Sequence, residues 1–323
     1  MHDQMPAQIL AQSAIDLTPA QAVEALERVL LDGLDPEAGP PRSNLAVPAG
    51  ELLLMPAATT AYAGVKIAGV APANPARGLP RITGSYLLLD GPTLQPLALF
   101  DGIALTSLRT PAVTAVALRR LAVPEAAHLV LFGAGPQAYG HLDALLAVRP
   151  LTRLTVVARR AEPAAALVEY ARKLGLDAVA GTPEAVAGAD LVVCCTTART
   201  PLFDGRAVPA HAAVAAVGSH EPAAREVDSA LVARSALYVE ARSAALREAG
   251  DLLIALADES IAESTPLANL SELVNGRVVV PTDRPRCFKS VGMAWQDLAV
   301  AAAQYERYGH SGPSGHSELY TMQ

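Results

Sequence analysis

HLVLFGAGPQA, residues 128–138, decides how this chain is read. A short apolar run ends at Gly133, and Pro136 opens a segment of helical spacing, PQAYGHLDALLAV. A buried strand that turns through GxGxxA into a helix is the phosphate-binding corner of a dinucleotide fold. In that reading Gly133 permits the tight turn, Gly135 lets a pyrophosphate approach the backbone, and the small Ala138 lets the helix pack on the strand. Pro136 and Gln137 stand at the first helical positions, where free N–H groups attract phosphate.

Downstream the texture alternates. LTRLTVVAR, DLVVCCTT, HAAVAAVGS, ALYVE and GRVVVP are short apolar runs, and EPAAALVEYARKLG reads as a helix between the first two. Parallel strands need such crossovers, so the pattern predicts an α/β fold with a Rossmann-type, doubly wound parallel sheet. The second strand ends in Val157-Ala158-Arg159-Arg160, with no acidic residue before Glu162. A site for NAD usually places a carboxylate there for the ribose 2′-hydroxyl, whereas guanidinium groups hold a 2′-phosphate. Arg159 and Arg160 therefore point to NADPH, with NADH the less preferred alternative. Thr196 and Thr197 follow DLVVCC, at a strand's carboxyl end, where such sheets bind cofactor. Cys194 and Cys195 read as inert packing.

Upstream, residues 16–33 carry a helix start at Thr18-Pro19, and ELLLMPA, GVKIAGV, GSYLLLD and PLALFDG have the texture of a β-meander. This predicts a smaller α+β domain. TSLRTPAVTAVALRRLA, residues 106–122, is helical, with a start expected near Thr110 because Pro111 fits a first turn. KSVGMAWQDLAVAAAQYERY is a last helix expected to return to the first domain, giving 1–118 plus 293–323 for one domain and 119–292 for the other. The Gly- and Ser-rich tail from Gly309 is expected to be mobile.

Composition narrows the function. Of 323 residues 51% are hydrophobic and 18% charged, which excludes a disordered chain. A net charge of −7 with 4% aromatic residues argues against nucleic acid as a partner. No apolar run is long enough to span a membrane, the amino terminus does not read as a signal peptide, and three cysteines without CxxC spacing imply neither a disulfide framework nor a metal site. The expected location is the cytoplasm.

Taken in order, LLLMPA, VKIAGVAPANPARGLP, LTSLRTPAVTAVA, GAGPQA, AVGSHEPAAREVD, YVE and FKSVGMAWQDLAVAA resemble the ornithine cyclodeaminase/mu-crystallin family over nearly the whole chain. The resemblance implies a two-domain subunit whose smaller domain binds substrate and forms a homodimer. It also implies a substrate-carboxylate cluster of Arg42, Lys66 and Arg109, and places Ser290 and Gly292 near the nicotinamide. Basic side chains of this kind suit a small amino or imino acid, which is anionic at its carboxylate. Where the cyclodeaminases carry an aspartate, this chain has His220, beside Glu221. Together with the arginines this favours the ketimine reductase branch: NADPH-dependent reduction of Δ1-pyrroline-2-carboxylate to proline or Δ1-piperidine-2-carboxylate to pipecolate. Lys66 and His220 are then the catalytic candidates, His220 either donating a proton or lining the pocket. A cyclodeaminase, an amino-acid dehydrogenase and a non-catalytic NADP(H)-binding crystallin remain the alternatives. Asp297 is expected to cap or pair.

Overall fold

The computed structural model describes residues 15–308, and the backbone of 9–12, 309–311 and 319–320 besides. Most of the expected mobile tail and the amino-terminal stretch, 1–8 and 13–14, lie outside the described residues. In chain order the elements are β1 (Ile9–Gln12), α1 (Pro19–Leu31), β2 (Ser43–Val47), β3 (Gly50–Ala58), β4 (Tyr62–Val70), β5 (Ile82–Asp90), β6 (Pro96–Asp101) and α2 (Gly102–Leu121). There follow β7 (His128–Phe132), α3 (Pro136–Leu146), β8 (Arg153–Val157), α4 (Ala161–Lys173), β9 (Asp177–Ala180), β10 (Leu191–Cys194), β11 (Ala213–Ala216), α5 (Ser229–Arg234) and β12 (Ala236–Val239). The chain closes with α6 (Arg242–Glu248), α7 (Gly250–Ala257), β13 (Leu267–Asn269), α8 (Leu270–Val274), β14 (Arg286–Lys289), α9 (Ala294–Ser311) and β15 (Leu319–Tyr320).

The chain divides into two compact units. One gathers the chain up to Val29, Ala38–Arg109 and the chain from Met293; the other comprises Leu30–Glu37 and Thr110–Gly292.

In the first unit the meander forms β2 to β6, antiparallel neighbours in a seven-stranded sheet that β1 and β15 complete. Strand alternation sorts the side chains. Met55, Lys66, Tyr86 and Phe100 pair across β3 to β6 and are all buried. α9 packs across β3, β4 and β5. On the opposite face Leu45, Ile67 and Leu99 are exposed. α1 begins in a capping box: the Thr18 amide donates to Gln21 Oε1, and the Gln21 amide to Thr18 Oγ1.

The second unit holds an eight-stranded, all-parallel sheet of order β13-β12-β14-β11-β10-β7-β8-β9. The chain runs outward from β7 through β8 to β9, then returns to β10 on the other side of β7. That reversal is the topological switch point, where ligands bind at the strands' carboxyl ends.

Two expectations change. GRVVVP is not a strand: residues 276–281 are irregular and Val279 is 90% exposed. The strand that fills the sheet between β11 and β12 is Arg286–Lys289, too short and too charged to stand out. It belongs in the interior because Arg286, 1% exposed, spends its guanidinium on the carbonyls of Leu121, Ala210, His211 and Arg284. Second, α2 starts at Gly102, so Thr110 and Pro111 lie inside it. The start signal is Asp101, whose carboxylate accepts the amides of Ile103 and Ala104.

His141, fully buried on α3, is a further departure, since its helix gave no reason to expect a buried histidine. Its ring meets the Gln137 carbonyl through Nδ1 at 2.7 Å, and Nε2 lies 3.1 Å from Thr114 Oγ1. A carbonyl only accepts, so Nδ1 carries a proton. Burial pushes its pKa down to about 4. The unfolded chain takes up this proton near pH 6.5 and the folded one only near 4, so stability falls as pH drops through that window, by about 3 kcal/mol from this group. Urea unfolding of wild type and His141→Leu at pH 7 and pH 4.5 tests this. The variant should lose distinctly less stability on acidification; equal losses would refute it.

Candidate active site

The cationic cluster of the first unit is built on β4, α2 and α9. Strand alternation turns Lys66 inward, 5% exposed, where an ammonium needs a partner. It finds Asp297 Oδ2 at 2.7 Å and Thr106 Oγ1 at 3.3 Å. Arg109, also 5% exposed, donates from Nε to Asp297 Oδ1 at 3.3 Å and from Nη1 to Gln296 Oε1 at 2.9 Å. Asp297 is wholly buried in the first turn of α9, where the helix N-terminus also favours a carboxylate. Gln296 Oε1 in addition accepts the Met293 amide at 3.2 Å. Arg42, half-buried before β2, bears electrostatically on Lys66. Burial pushes the Lys66 ammonium down to about 8, opposed by Asp297 and reinforced by Arg109 and Arg42.

Chemically, two buried cations, with Arg42 as a third close by, share the Asp297 carboxylate. Neither the last Nζ proton of Lys66 nor Nη2 of Arg109 is spent on Asp297, Thr106 or Gln296. The arrangement carries excess positive charge in a poorly solvated place, which suits a small anion. Sequence reading named the three cations; it left Asp297 as a pairing residue and did not single out Gln296.

In the second unit the glycine turn lies at the switch point. Gly133 has φ +114°, a backbone that strains any other residue, and a Cβ there would also crowd the Cys195 carbonyl oxygen at 3.0 Å. A Cβ on Gly135 would meet nothing within 4 Å. Nothing inside the protein asks for glycine at that position; the open space does, if a phosphate is to reach the backbone. Pro136 opens α3, no side chain caps that helix, and Ala138 is buried against the fold. Of the first-turn amides, Pro136 has none and that of Ala138 donates to the Gly135 carbonyl at 2.9 Å, which leaves that of Gln137 to an anion.

Arg159 and Arg160 are exposed and follow β8 directly, Arg160 standing at the start of α4. Cations are poor partners for a helix N-terminus, so helix energetics do not account for them. The dinucleotide fits what is here: an open glycine turn, an uncapped helix and two free-standing guanidinium groups where its ribose end would lie.

Other expected site residues are placed differently. Thr196 sits after β10, but its amide and hydroxyl both donate to Glu226 Oε1, while Thr197 is exposed. Ser290 Oγ and the Gly292 amide donate to the buried Glu240 carboxylate. Thr110 offers its carbonyl to Thr114 Oγ1 within α2. His220 is exposed on the loop after β11, where neighbouring Glu221 pairs with Arg199 at 2.6 Å. Cys194 and Cys195 are held as thiols, because burial pushes both well up. Among the described residues no cluster of three or more His, Cys, Asp or Glu could hold a metal, and no helix is long and apolar enough to cross a membrane.

The family model of the ornithine cyclodeaminase/mu-crystallin family matches residues 11–312. The chain belongs to this family. A Δ1-pyrroline-2-carboxylate reductase of Bacillus thuringiensis subsp. konkukian is 35% identical, over 77% of this chain and 78% of that one. The Δ1-pyrroline-2-carboxylate reductase of Thermococcus litoralis, solved in complex with NADH and L-proline, is 31% identical with a TM-score of 0.86, over 94% of this chain and 98% of that one. An archaeal alanine dehydrogenase, a dimer with bound NAD, is 27% identical with a TM-score of 0.90, over 99% and 100% of the two chains.

Proposed function

We propose that this protein reduces cyclic α-imino acids, converting Δ1-pyrroline-2-carboxylate to proline and Δ1-piperidine-2-carboxylate to pipecolate, with NADPH preferred over NADH as reductant. The observation that carries this reading is the cluster in which Lys66 and Arg109 share Asp297, because two buried cations on one carboxylate leave a positive charge that a small carboxylate would neutralise. The reductases named above supply the substrate class. Gly133, Gly135, the first turn of α3, Arg159 and Arg160 would hold the nucleotide, with Thr110, Thr197, Ser290 and Gly292 nearby. A reduced nicotinamide, when bound, supplies the hydride that the imine carbon accepts.

The chain's own residues do the rest. Arg109 grips the substrate carboxylate through its guanidinium, Lys66 adds a point charge through Nζ, and Arg42 contributes its field. The C=N bond is the better electrophile when its nitrogen is protonated. His220 is assigned to hold or supply that proton, since imidazole changes charge near neutral pH. One hydride and one proton are consumed per amine formed. The seven-stranded sheet's exposed face, with Leu45, Ile67 and Leu99 at 41–56% exposure, would be covered in a homodimer.

Mixing purified protein with NADPH and Δ1-pyrroline-2-carboxylate should bleach the reduced-nicotinamide absorbance band and yield proline. Ornithine turnover without added nucleotide, and no oxidation of NADPH or NADH, would instead make it a cyclodeaminase. The cofactor assignment has its own test. Replacing both Arg159 and Arg160 by serine should raise the KM for NADPH by about 10²-fold, two charge-assisted contacts of about 1.5 kcal/mol each, and leave that for NADH within about twofold. Equal effects on both nucleotides would overturn the preference.

A further inference from the structure

We propose that Glu226 is a positioning residue for the nucleotide, its carboxylate fixing the loops after β10 and β11 in the arrangement the cofactor needs. The proposal rests on the dinucleotide reading above.

Glu226 is wholly buried on the loop between β11 and α5. Its Oε1 accepts the Thr196 amide and the Thr196 hydroxyl, both at 2.7 Å, and its Oε2 accepts the Gly218 amide at 2.7 Å. One carboxylate thus ties the second residues beyond two adjacent strands. Its backbone carbonyl takes a third strip of chain through the Leu202 amide at 2.8 Å.

The loop after β10 borders the glycine turn. The Cys195 amide donates to the Phe132 carbonyl at 3.0 Å, directly before Gly133. The two loops also touch each other. A Cβ on Gly218 would stand 2.1 Å from the Thr196 carbonyl oxygen and 2.5 Å from Glu226 Oε1, so glycine alone fits.

The backbone that carries this carboxylate is itself held. The Glu226 and Val227 amides donate to Asp251 Oδ1 at 2.7 and 3.0 Å, and Asp251 Oδ2 pairs with Lys289 Nζ at 2.8 Å. That ammonium also donates to the Ser219 carbonyl at 2.7 Å. Burial raises the Glu226 carboxyl while Lys289 opposes it. Buried charges of this kind contribute little net stability compared with packed apolar groups. What this one does contribute is geometry: three donors converge on one rigid acceptor beside the switch point.

Glu226→Gln tests the idea, since the amide nitrogen then faces a backbone N–H and cannot accept it. The expected result is an NADPH dissociation constant, read by fluorescence, raised at least tenfold with a matching rise in its KM. At saturating NADPH, kcat and the KM for the imino acid should stay within twofold. Hydrogen exchange at the Thr196 and Gly218 amides should quicken even without nucleotide. A lower melting temperature with an unchanged NADPH dissociation constant would reduce Glu226 to a structural tie and overturn the proposal. Should the variant not fold, Thr196→Val removes a single bond to the same carboxylate. It must then both weaken NADPH several-fold and speed exchange at Gly218; failure of either overturns the proposal. Wild-type protein that binds neither NADPH nor NADH would sink the dinucleotide reading instead, which separates the two failures.

Discussion

Asp297→Ala is expected to lower the unfolding free energy by about 3–5 kcal/mol, because it strips the partner from two buried cations at once. Lys66 can respond by losing its proton; Arg109 cannot, and its guanidinium would be left inside the fold with Gln296 alone among these partners. Denaturant unfolding of the two proteins measures this, and a loss below about 1 kcal/mol would show the cluster to be more hydrated than its burial implies. The milder Asp297→Asn carries the functional half of the prediction. In wild type the Lys66 ammonium titrates at about 8, against an ordinary 10.5, so kcat/KM for the imino acid should decline above about pH 8. Asp297 opposes that depression; without its charge the decline should begin at lower pH. An unmoved alkaline limb would mean that Lys66 is not the group being titrated. The sign for stability runs the other way. Between about pH 8 and 10.5 the unfolded chain holds this proton and the folded chain does not, so the group's contribution rises with pH across that window.

Arg109→Met should cost about 10²–10³ in kcat/KM for the imino acid, the equivalent of about 3–4 kcal/mol, in the range for truncating one member of a buried charge contact. Lys66→Met should cost a similar factor, and Arg109→Lys less than Arg109→Met, since it keeps the charge and loses the fork. Nucleotide dissociation constants should not change in any of the three, because neither Arg109 nor Lys66 is among the residues assigned to the nucleotide. The decisive comparison is the split between the two ligands. Variants that weaken NADPH and spare the imino acid would move the carboxylate anchor elsewhere.

These expectations separate into those that local sequence could carry and those that it could not. The glycine turn was legible because each of its residues is demanded by backbone geometry within a few positions: a positive φ at Gly133, open space at Gly135, a helix start at Pro136. The meander was legible because alternation is a local period, and the same period turned Lys66 inward. Arg159 and Arg160 were readable as a departure from the usual acidic residue at a known place. GRVVVP misled for the converse reason: it has strand composition, yet no neighbour to pair with, and the sheet took the charged RCFK instead. Partners far apart along the chain left no such trace. Asp297 meets Lys66 across 231 positions and Arg109 across 188, and Glu226 meets Thr196 across 30. Sequence by itself determined the α/β architecture and the glycine turn between β7 and α3, and the family resemblance pointed to the cations. Only the tertiary structure decided which carboxylates hold them, because an ion pair or a buried acceptor is specified by proximity in space, and no local spacing encodes that.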